Sequence, residues 1–324
     1  MENTQEKHTV KQITSAQIPL VSILCDAFNH EAFIEEALQG FLKQTTNFPF
    51  EIIVHEDAST DRTAAILKKY QDDYPEQIRV IFQTQNQFSK KGLNLWRDIT
   101  FKEARGKYIA LCEGDDYWTD PEKLQKQVDF LEQHPDYVIS WTNYLNNKNG
   151  QLFPNDFKTT LPEVYTVNFD NLFNPYCTLT LTCVFKKAAI DFNKYAQFEH
   201  AKDNTLYALA LCSGKGVYLN FQSAVYRWHS GGIYSQKSNF FKRHSSYLNV
   251  KEIYELLPAA QTSNIKKTVK ALFKATAYEA IVLYATKERE AAVTKIVNDY
   301  FKQATLFKKI SFIWHYLKSK WSAQ

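Results

Sequence analysis

The sequence is poor in the residues that mark several common kinds of site. Its 324 residues include five cysteines and nine glycines. The cysteines are scattered, with no C-x-x-C pair, which excludes the usual zinc-binding spacing and is typical of reduced thiols. No G-x-G-x-x-G sequence occurs, so a dinucleotide-binding oxidoreductase is excluded.

Long apolar runs are also missing. No segment approaches the roughly 18 to 20 apolar residues needed to cross a bilayer, and the polar residues 1–17 lack the apolar core of a secretory signal. We therefore expect a cytoplasmic protein. The hydrophobic content of 44% still supports a sizeable core, and the length suits one large α/β domain with an appendage.

Charge is distributed unevenly along the chain. The net charge is +4, but residues 232–324 hold 16 Lys and Arg against 6 Asp and Glu. From residue 300 onward, lysines alternate with aromatic residues and no acid occurs. This composition favours peripheral contact with the anionic inner face of the plasma membrane, although a helix packed on the catalytic domain, or a dimer contact, has similar aromatics. We expect no nucleic-acid partner.

Hydrophobic periodicity divides the chain into regions. From residue 20 to about 112, short apolar or β-branched runs alternate with helical segments, which predicts an α/β domain with a mostly parallel sheet flanked by helices. Two separate strands are predicted at 216–219 and 223–228, before a break at Gly231-Gly232. We therefore divide the chain into a polar extension (1–17), a catalytic domain (18–232) and a basic, aromatic-rich helical region (233–324).

The strongest chemical signal is a buried strand that runs into three carboxylates. The pattern predicts the strand at residues 107–111, and Glu113, Asp115 and Asp116 follow it. Parallel α/β sheets bind ligands at the carboxyl ends of their strands. Because crowded carboxylates repel one another, this cluster indicates a Mn²⁺ or Mg²⁺ ion that also binds water and phosphate oxygens. The alternative is an acidic loop that caps a helix beginning at Pro121.

A second strand-like segment, residues 51–55, also ends in acids. Asp57 follows it, and an Asp at a strand end can accept the N–H of a pyrimidine base. Taken alone, Asp57 or Ser59 is better explained as a helix N-cap. Together, the two clusters favour a nucleotide-diphosphate site, because one can hold the base while the other holds the phosphates.

Four motifs occur in a fixed order along the chain. They are Val21-Ser22-Ile23 with Phe28-Asn29-His30-Glu31, then residues 56–63, residues 106–116 and residues 226–232. In this order they resemble family 2 glycosyltransferases with the GT-A fold, of the bacterial surface-polysaccharide type. The resemblance covers about residues 18–232. It implies an inverting enzyme that transfers a sugar from a nucleotide-diphosphate donor, preferably UDP-linked, to a hydroxyl of a saccharide or lipid-linked acceptor.

The resemblance also assigns residues to the donor nucleotide. It implies that Ala27, Phe28 and Glu31 border the nucleotide and that Asp57 binds its base. Two segments depart from the family pattern. Cys25-Asp26-Ala27 stands where a Thr-Tyr pattern is usual, and His55-Glu56 precedes Asp57 where an acidic pair is common.

At the metal, Glu113-Gly114-Asp115 stands in the place of the family's Asp-x-Asp motif. The resemblance implies that Asp115 ligates the metal, and that Glu113 and Gly114 lie beside the donor. Glu113 is one methylene longer than the usual Asp, so its contact with the metal stays open. Arg227 suits a diphosphate and His229 can complete the metal shell, although a single His is more often structural.

The family's general base falls on Asp203. Inverting transfer needs a carboxylate on the face opposite the leaving diphosphate, where it takes the proton of the attacking hydroxyl. From the residues alone, Asp203 suits equally the N-cap of a helix over 204–211. Asp191 and Glu199 are alternative bases.

Two other functions fit parts of this pattern. A sugar nucleotidyltransferase is also α/β and metal-dependent, but it usually carries a glycine-rich loop after the first strand, where this chain has no glycine. A nucleotide-sugar-binding protein of the same fold without catalysis is the non-enzyme alternative.

Overall fold

A computed structural model describes residues 18–90, 92–155, 161–232, 236–285, 290–303 and residue 314. The chain divides into two compact units, one ending at His229 and the other beginning at Ser230. The polar extension predicted at residues 1–17 lies outside the described residues. The functional assignment of the domains stays a prediction.

Four parallel strands form one half of the sheet in the first unit. They are β1 (Val21–Ala27), β2 (Phe50–Glu56), β3 (Ile78–Phe82) and β4 (Tyr108–Leu111), in the order β3-β2-β1-β4. Residues of β1, β2 and β4 are buried on both faces, as expected where helices cover both sides of a parallel sheet. This half confirms the strands expected from the apolar runs.

The other half of the sheet mixes strand directions. Its strands are β5 (Tyr117–Trp118), β6 (Tyr137–Lys148), β7 (Gln151–Pro154), β8 (Val164–Val167), β9 (Val184–Lys186) and β10 (Lys215–Trp228). β9 is antiparallel to both β4 and β6, and β10 is parallel to β6. Therefore β1, β2, β3, β4, β6 and β10 share one direction, which confirms a mostly parallel sheet.

The expectation of two strands near the end of this unit was wrong. Residues 216–219 and 223–228 belong to the single strand β10, whose register against β6 shifts between Leu219 and Gln222 and again before Ala224. Such irregularities let a strand keep its pairing through a short polar stretch. The polar residues between the two apolar runs therefore looked like a turn in the sequence.

Helices cover the sheet of the first unit. They are α1 (Ile34–Leu42), α2 (Thr63–Asp73), α3 (Phe101–Glu103), α4 (Lys123–Gln133), α5 (Phe192–Tyr195) and α6 (Asp203–Leu211). A π-helical turn over Trp96–Thr100 leads into α3. In α1, Ile34, Leu38 and Phe41 recur at three- and four-residue spacing and are fully buried in the main core, which fixes the face that α1 turns to the sheet.

The second unit is helical. It contains α7 (Asn239–Leu256), α8 (Ser263–Ala285) and α9 (Ala291–Gln303), which confirms the helical C-terminal region. The part of this predicted region after residue 303 lies outside the described residues, apart from Trp314. Throughout the described parts of the chain, every helix is too short or too polar to span a bilayer.

Candidate active site

Hydrogen bonds connect the loop after β1 to the loop after β2 at the carboxyl edge of the sheet. The loop after β1 donates from the Asn29 backbone to Ser59 Oγ at 3.0 Å, and it accepts at Asn29 Oδ1 from the Thr60 N–H at 2.8 Å. Asn29 has a φ of 55°, a left-handed conformation that asparagine tolerates better than most residues. The reciprocal bonds fix the loop that carries Phe28, whose side chain is 41% exposed.

Glu31 continues this connection between the loops. Its backbone N–H donates to Asp61 Oδ2 at 3.0 Å, and its carboxylate accepts from the Arg62 backbone at 3.0 Å and from Arg62 Nε at 3.1 Å. Asp61 also accepts the Thr63 N–H at 2.9 Å, so Asp61 binds an unpaired amide at the start of α2. Glu31 therefore lies beside the predicted nucleotide position, and its contact with the nucleotide stays a prediction.

Asp57 is held by the backbone of the loop after β3. Its two carboxylate oxygens accept the N–H groups of Gln87 at 2.6 Å and Phe88 at 3.0 Å, and its own N–H donates to the Ala27 carbonyl at 3.0 Å. Asp57 is 1% exposed and caps no helix, so the N-cap interpretation was wrong. Ser59 caps no helix either, because it accepts the N–H of Asn29. Base binding by Asp57 stays a prediction.

The sequence analysis missed a buried histidine between two carboxylates. His55 is fully buried; its Nδ1 lies 3.3 Å from Asp26 Oδ1 and its Nε2 lies 3.7 Å from Asp57 Oδ1. Burial raises the pKa of Asp26, and His55 opposes that effect. The departures at Asp26 and His55 in the sequence were the available signal, because the two residues lie side by side on β1 and β2.

Gly114 lies within the acidic corner, the cluster of Glu113, Asp115 and Asp116 after β4, and brings this corner against β1. Its N–H donates to the Asp26 carbonyl at 2.9 Å. A Cβ at this position would lie 2.8 Å from Ile34 Cδ1 and 3.0 Å from His30 Nδ1, closer than packed side chains allow. The glycine therefore permits the loop after β4 to lie directly on the loop after β1.

Asp115 and His229 meet at this corner, as the sequence predicted for a shared metal. His229 Nε2 lies 3.0 Å from Asp115 Oδ2, and His30 Nε2 lies 3.7 Å from the same oxygen. Burial alone would raise the pKa of Asp115, but the hydrogen bond to His229 and the His30 imidazole lower it overall. His30 belongs to the first sequence motif, but the sequence predicted no function for it.

Arg227 fastens the end of β10 to the same corner. Its backbone N–H donates to Asp116 Oδ1 at 2.8 Å, and its guanidinium donates to the Asp115 carbonyl at 2.7 Å. The guanidinium also pairs with Glu36 of α1 and lies over the Tyr117 ring, 4.3 Å from the ring centroid. Arg227 lies where a diphosphate is expected, and its contact with that group stays a prediction.

The charge of Asp203 acts on one acid of the corner, Glu113. Burial raises the pKa of Glu113 well above its usual value, and the charges of Asp203, Asp116 and Asp115 raise it further. Burial and the charge of Asp115 likewise raise the pKa of Asp116. The tertiary structure therefore brings Asp203, far away in sequence, into the electrostatic field of the acidic cluster.

Asp203 is the first residue of α6 and lies at the protein surface. Its side chain has accessible surface, yet surrounding protein raises its pKa through desolvation, and a hydrogen bond with Thr180 partly opposes this. Tyr176 is also partly exposed, and desolvation likewise raises its pKa. Its hydroxyl donates to Asn204 Oδ1 at 3.2 Å. The N-cap of α6 is Lys202, so the N-cap interpretation of Asp203 was wrong.

The alternative base Asp191 has a structural role. Its carboxylate accepts the Lys194 N–H at 2.9 Å and caps α5. Asp203, by contrast, is the first residue of its helix and leaves the capping position to Lys202. The structure therefore explains Asp191 without catalysis.

The residues at the corner suit a divalent cation. Asp115 and His229 offer one oxygen and one nitrogen within 3.0 Å of each other, and burial together with the charges of neighbouring acids raises the pKa values of Glu113 and Asp116. His30 Nε2 lies 3.7 Å from the same Asp115 oxygen, but in the part of the chain that the structure describes no third Asp, Glu, His or Cys places a ligand atom within 4.8 Å of both Asp115 and His229. Water and a diphosphate would therefore complete the shell, as is common for Mg²⁺.

Comparison with known proteins identifies the class. A family model described as "Glycosyl transferase family 2" matches residues 22–195, which is more than half of the chain. The chain therefore belongs to glycosyl transferase family 2, and it is a nucleotide-sugar-dependent glycosyltransferase. Membership of this family disfavours the nucleotidyltransferase alternative.

Three relatives show how far the similarity extends. An uncharacterized protein of Mycobacterium tuberculosis is 30% identical over 85% of this chain and 72% of its own length. The Escherichia coli protein named UDP-Glc:α-D-GlcNAc-diphosphoundecaprenol β-1,3-glucosyltransferase WfaP is 29% identical over 71% of this chain and 85% of its length. Poly(ribitol-phosphate) β-N-acetylglucosaminyltransferase TarS of Staphylococcus aureus is 25% identical, over 73% of this chain but 39% of its own length.

Solved structures confirm the GT-A fold. The S. aureus TarS 1–349 complex with UDP-GlcNAc has a TM-score of 0.58 at 19% identity and covers 92% of this chain and 81% of its own. A mannosyltransferase, PcManGT from Pyrobaculum calidifontis, in complex with GDP-Man and Mn²⁺, has a TM-score of 0.51 at 13% identity and covers 94% of this chain and 87% of its own. At these identities the likeness concerns the fold alone.

Proposed function

We propose that this chain is an inverting, metal-dependent glycosyltransferase that transfers a sugar from a UDP-linked donor to a hydroxyl of a saccharide or lipid-linked acceptor in the synthesis of a bacterial surface polymer. One observation carries the proposal. The desolvated carboxylate of Asp203 lies close enough to the acidic corner for its charge to raise the pKa of Glu113. The proposed base therefore lies within electrostatic reach of the proposed metal site.

Asp203 is the proposed general base. As the acceptor oxygen bonds to the anomeric carbon, Asp203 takes its proton, and the bond from that carbon to the diphosphate oxygen breaks on the opposite face. The products are the glycoside, with inverted configuration, and the nucleoside diphosphate. A raised pKa makes Asp203 a stronger base than an ordinary aspartate, which suits proton transfer near neutral pH.

Asp115 and His229 are the proposed metal ligands. A bound Mn²⁺ or Mg²⁺ would neutralise the charge that grows on the departing diphosphate. Arg227 holds the Asp115 carbonyl and the Asp116 carboxylate, and it thereby fixes the ligands before the donor arrives. Asp57, Ala27, Phe28 and Glu31 are the proposed neighbours of the nucleotide.

The relatives support the substrate class. The name of WfaP specifies a UDP-glucose donor and a diphosphoundecaprenol-linked acceptor, and the name of TarS specifies poly(ribitol-phosphate). The TarS structure contains UDP-GlcNAc, and the mannosyltransferase contains Mn²⁺. These properties belong to those proteins, and they lead us to propose UDP and a lipid-linked or polymeric acceptor for this chain.

The test has two steps. A thermal-shift screen of UDP- and GDP-sugars with and without Mn²⁺ identifies the donor, because a ligand that binds only the folded state raises the melting temperature. Donor turnover is then measured with membrane-derived acceptors, and the released nucleotide is identified. We expect nucleoside diphosphate. Release of pyrophosphate would indicate a nucleotidyltransferase, and donor binding without turnover would indicate a binding protein.

Asp191 provides a matched control for the proposed base. We expect Asp203→Asn to bind donor normally but to lower the transfer rate by about 100-fold or more, the usual range for loss of a general base. Asp191→Asn removes the same charge, and asparagine is also a good N-cap, so transfer should change little. Equal losses in the two variants would remove Asp203 from the mechanism.

A further inference from the structure

The first half of α8 carries a row of exposed lysines. The row, called here the α8 lysine row, consists of Lys266, Lys267, Lys270 and Lys274. Three of its members recur every four residues, so they lie about 6 Å apart along one side of the helix. α8 contains no Asp or Glu before Glu279.

Packing of other α8 residues keeps the α8 lysine row facing solvent. Ile265, Ala277 and Ile281 of the same helix are buried, and the latter two pack in the core of the second unit with Val293 and Ile296 of α9. Rotation of α8 would expose these apolar side chains. The lysines therefore stay on the surface whatever rotamers they adopt.

Carboxylate partners for the row are absent from the described residues. Other carboxylates of the second unit are used elsewhere: Glu279 pairs with Arg243 at 2.9 Å, and Asp299 pairs with Lys295 at 2.7 Å. Within the row, Lys274 Nζ lies over the Tyr278 ring, 5.7 Å from its centroid. The positive charge of the row is therefore not compensated by carboxylates within the described structure.

The row is also unfavourable for the helix itself. Lys266 and Lys267 are the fourth and fifth residues of α8, close to the helix end where the dipole already places partial positive charge. The pairs Lys266/Lys270 and Lys270/Lys274 put like charges four residues apart, which destabilises a helix. Selection for stability alone would favour acids at these positions. This suggests an external partner that supplies negative charge.

We propose that the α8 lysine row docks the chain on the anionic lipid headgroups of a membrane surface. From Lys266 to Lys274 the row is straight and about 12 Å long, which fits a flat charged surface. Beyond α8, the chain combines Lys302 with an exposed Trp314 and has no acid from residue 300 onward. Lysines near aromatic residues suit the interface between water and lipid, which favours a membrane over a nucleic acid.

Vesicle binding by the full chain tests the proposal. Phosphatidylcholine vesicles with and without phosphatidylglycerol are sedimented with the protein at low and high salt. We expect binding only to anionic vesicles and weaker binding at high salt, because salt screens exposed charges. Replacing the four lysines of the row by glutamine should lower the vesicle partition coefficient by about tenfold or more, since each lysine near an anionic surface contributes to binding.

The matched control removes the same amount of charge elsewhere. Four exposed lysines of the first unit are replaced by glutamine, namely Lys43, Lys69, Lys102 and Lys148. This variant should bind anionic vesicles within about twofold of the wild type, because its changes lie outside the proposed surface. An equal loss in the control variant would overturn the proposal, since net charge alone would then explain binding.

A second variant separates docking from folding. Lys266→Glu with Lys267→Glu places acids near the N-terminal end of α8, so we expect a raised melting temperature together with weaker vesicle binding. The proposal is overturned if the glutamine variant of the row binds anionic vesicles as the wild type does. It is also overturned if labelled single-stranded DNA binds in a row-dependent manner while anionic vesicles do not bind.

Discussion

The Arg227 guanidinium donates a hydrogen bond to the backbone carbonyl of Asp115 at 2.7 Å. The two residues are far apart in sequence and come from β10 and the loop after β4. Asp115 and His229 are the proposed metal ligands. Arg227 therefore joins the end of β10, which leads to His229, to the loop that carries Asp115. We therefore expect Arg227 to act on the proposed metal site through the backbone that carries Asp115.

The first prediction concerns Arg227→Lys. Lysine keeps the charge but lacks the planar group that bonds Asp115 and Glu36 together, so the acidic loop should lose its fixed position. We expect the dissociation constant of UDP in the presence of Mn²⁺ to rise about tenfold or more, measured by calorimetry. As a control, Arg79→Lys changes an exposed pair with Glu103 and should leave binding unchanged. Unchanged affinity in Arg227→Lys would contradict the positioning role.

The second prediction concerns the pH dependence of transfer. Desolvation raises the pKa of Asp203, and a general base acts only when it is deprotonated. The rate should therefore fall as pH decreases through this raised pKa, at a higher pH than for an ordinary aspartate. The kcat/KM profile of the wild type checks this. In Asp203→Asn the residual activity should lack that acidic limb, and an identical limb in both proteins would assign it to another group.

The third prediction concerns Gly114→Ala. The new methyl group would meet Ile34 and His30 at 3.0 Å or less, so we expect a loss of about 1 to 3 kcal/mol in unfolding free energy and weaker donor binding. Gly150→Ala serves as the control. Gly150 has a φ of 82° and open space around it, so alanine should cost about 1 to 2 kcal/mol through backbone strain alone, with normal donor binding. Denaturant unfolding and calorimetry separate the two effects.

The fourth prediction concerns a buried lysine beneath the site. Lys123 is fully buried, donates to Gln127 Oε1 at 2.7 Å and lies over Trp118, 4.2 Å from the ring centroid. Burial lowers the pKa of Lys123 to about 7. Between this value and the unfolded value of about 10.4, the unfolded chain binds a proton that the folded chain does not, so the contribution of Lys123 to stability rises with pH.

Lys123→Met removes that proton-linked contribution. The stability of the variant relative to the wild type should be greatest at or below pH 7 and should decline by a few kcal/mol, on the order of the linkage value, as pH approaches 10. Lys126→Met is the control, because Lys126 is exposed and its carboxylate partners Asp120 and Glu122 outweigh desolvation and raise its pKa. A flat difference for Lys123→Met would show that the residue titrates normally.

Much of the fold followed from local pattern. The strands β1 to β4 and the helix α6 were predicted because their apolar periodicity is strong and their flanking residues are clear. The course of β10 was not, because its pairing with β6 continues through polar residues that resemble a turn. The π-helical turn at Trp96–Thr100 also lacked a local signal, since its sequence reads as an ordinary helix.

The sequence by itself determined the acids at the strand ends, because strand direction places successive carboxyl ends at one edge of a parallel sheet. It also indicated Asp203, through a motif. Only the tertiary structure decided that Asp57 holds the loop after β3, that His55 lies between Asp26 and Asp57, and that Arg227 holds the backbone of Asp115. These contacts join residues from separate strands and loops. Their distances depend on the packing of the whole sheet, which no local pattern in the chain specifies.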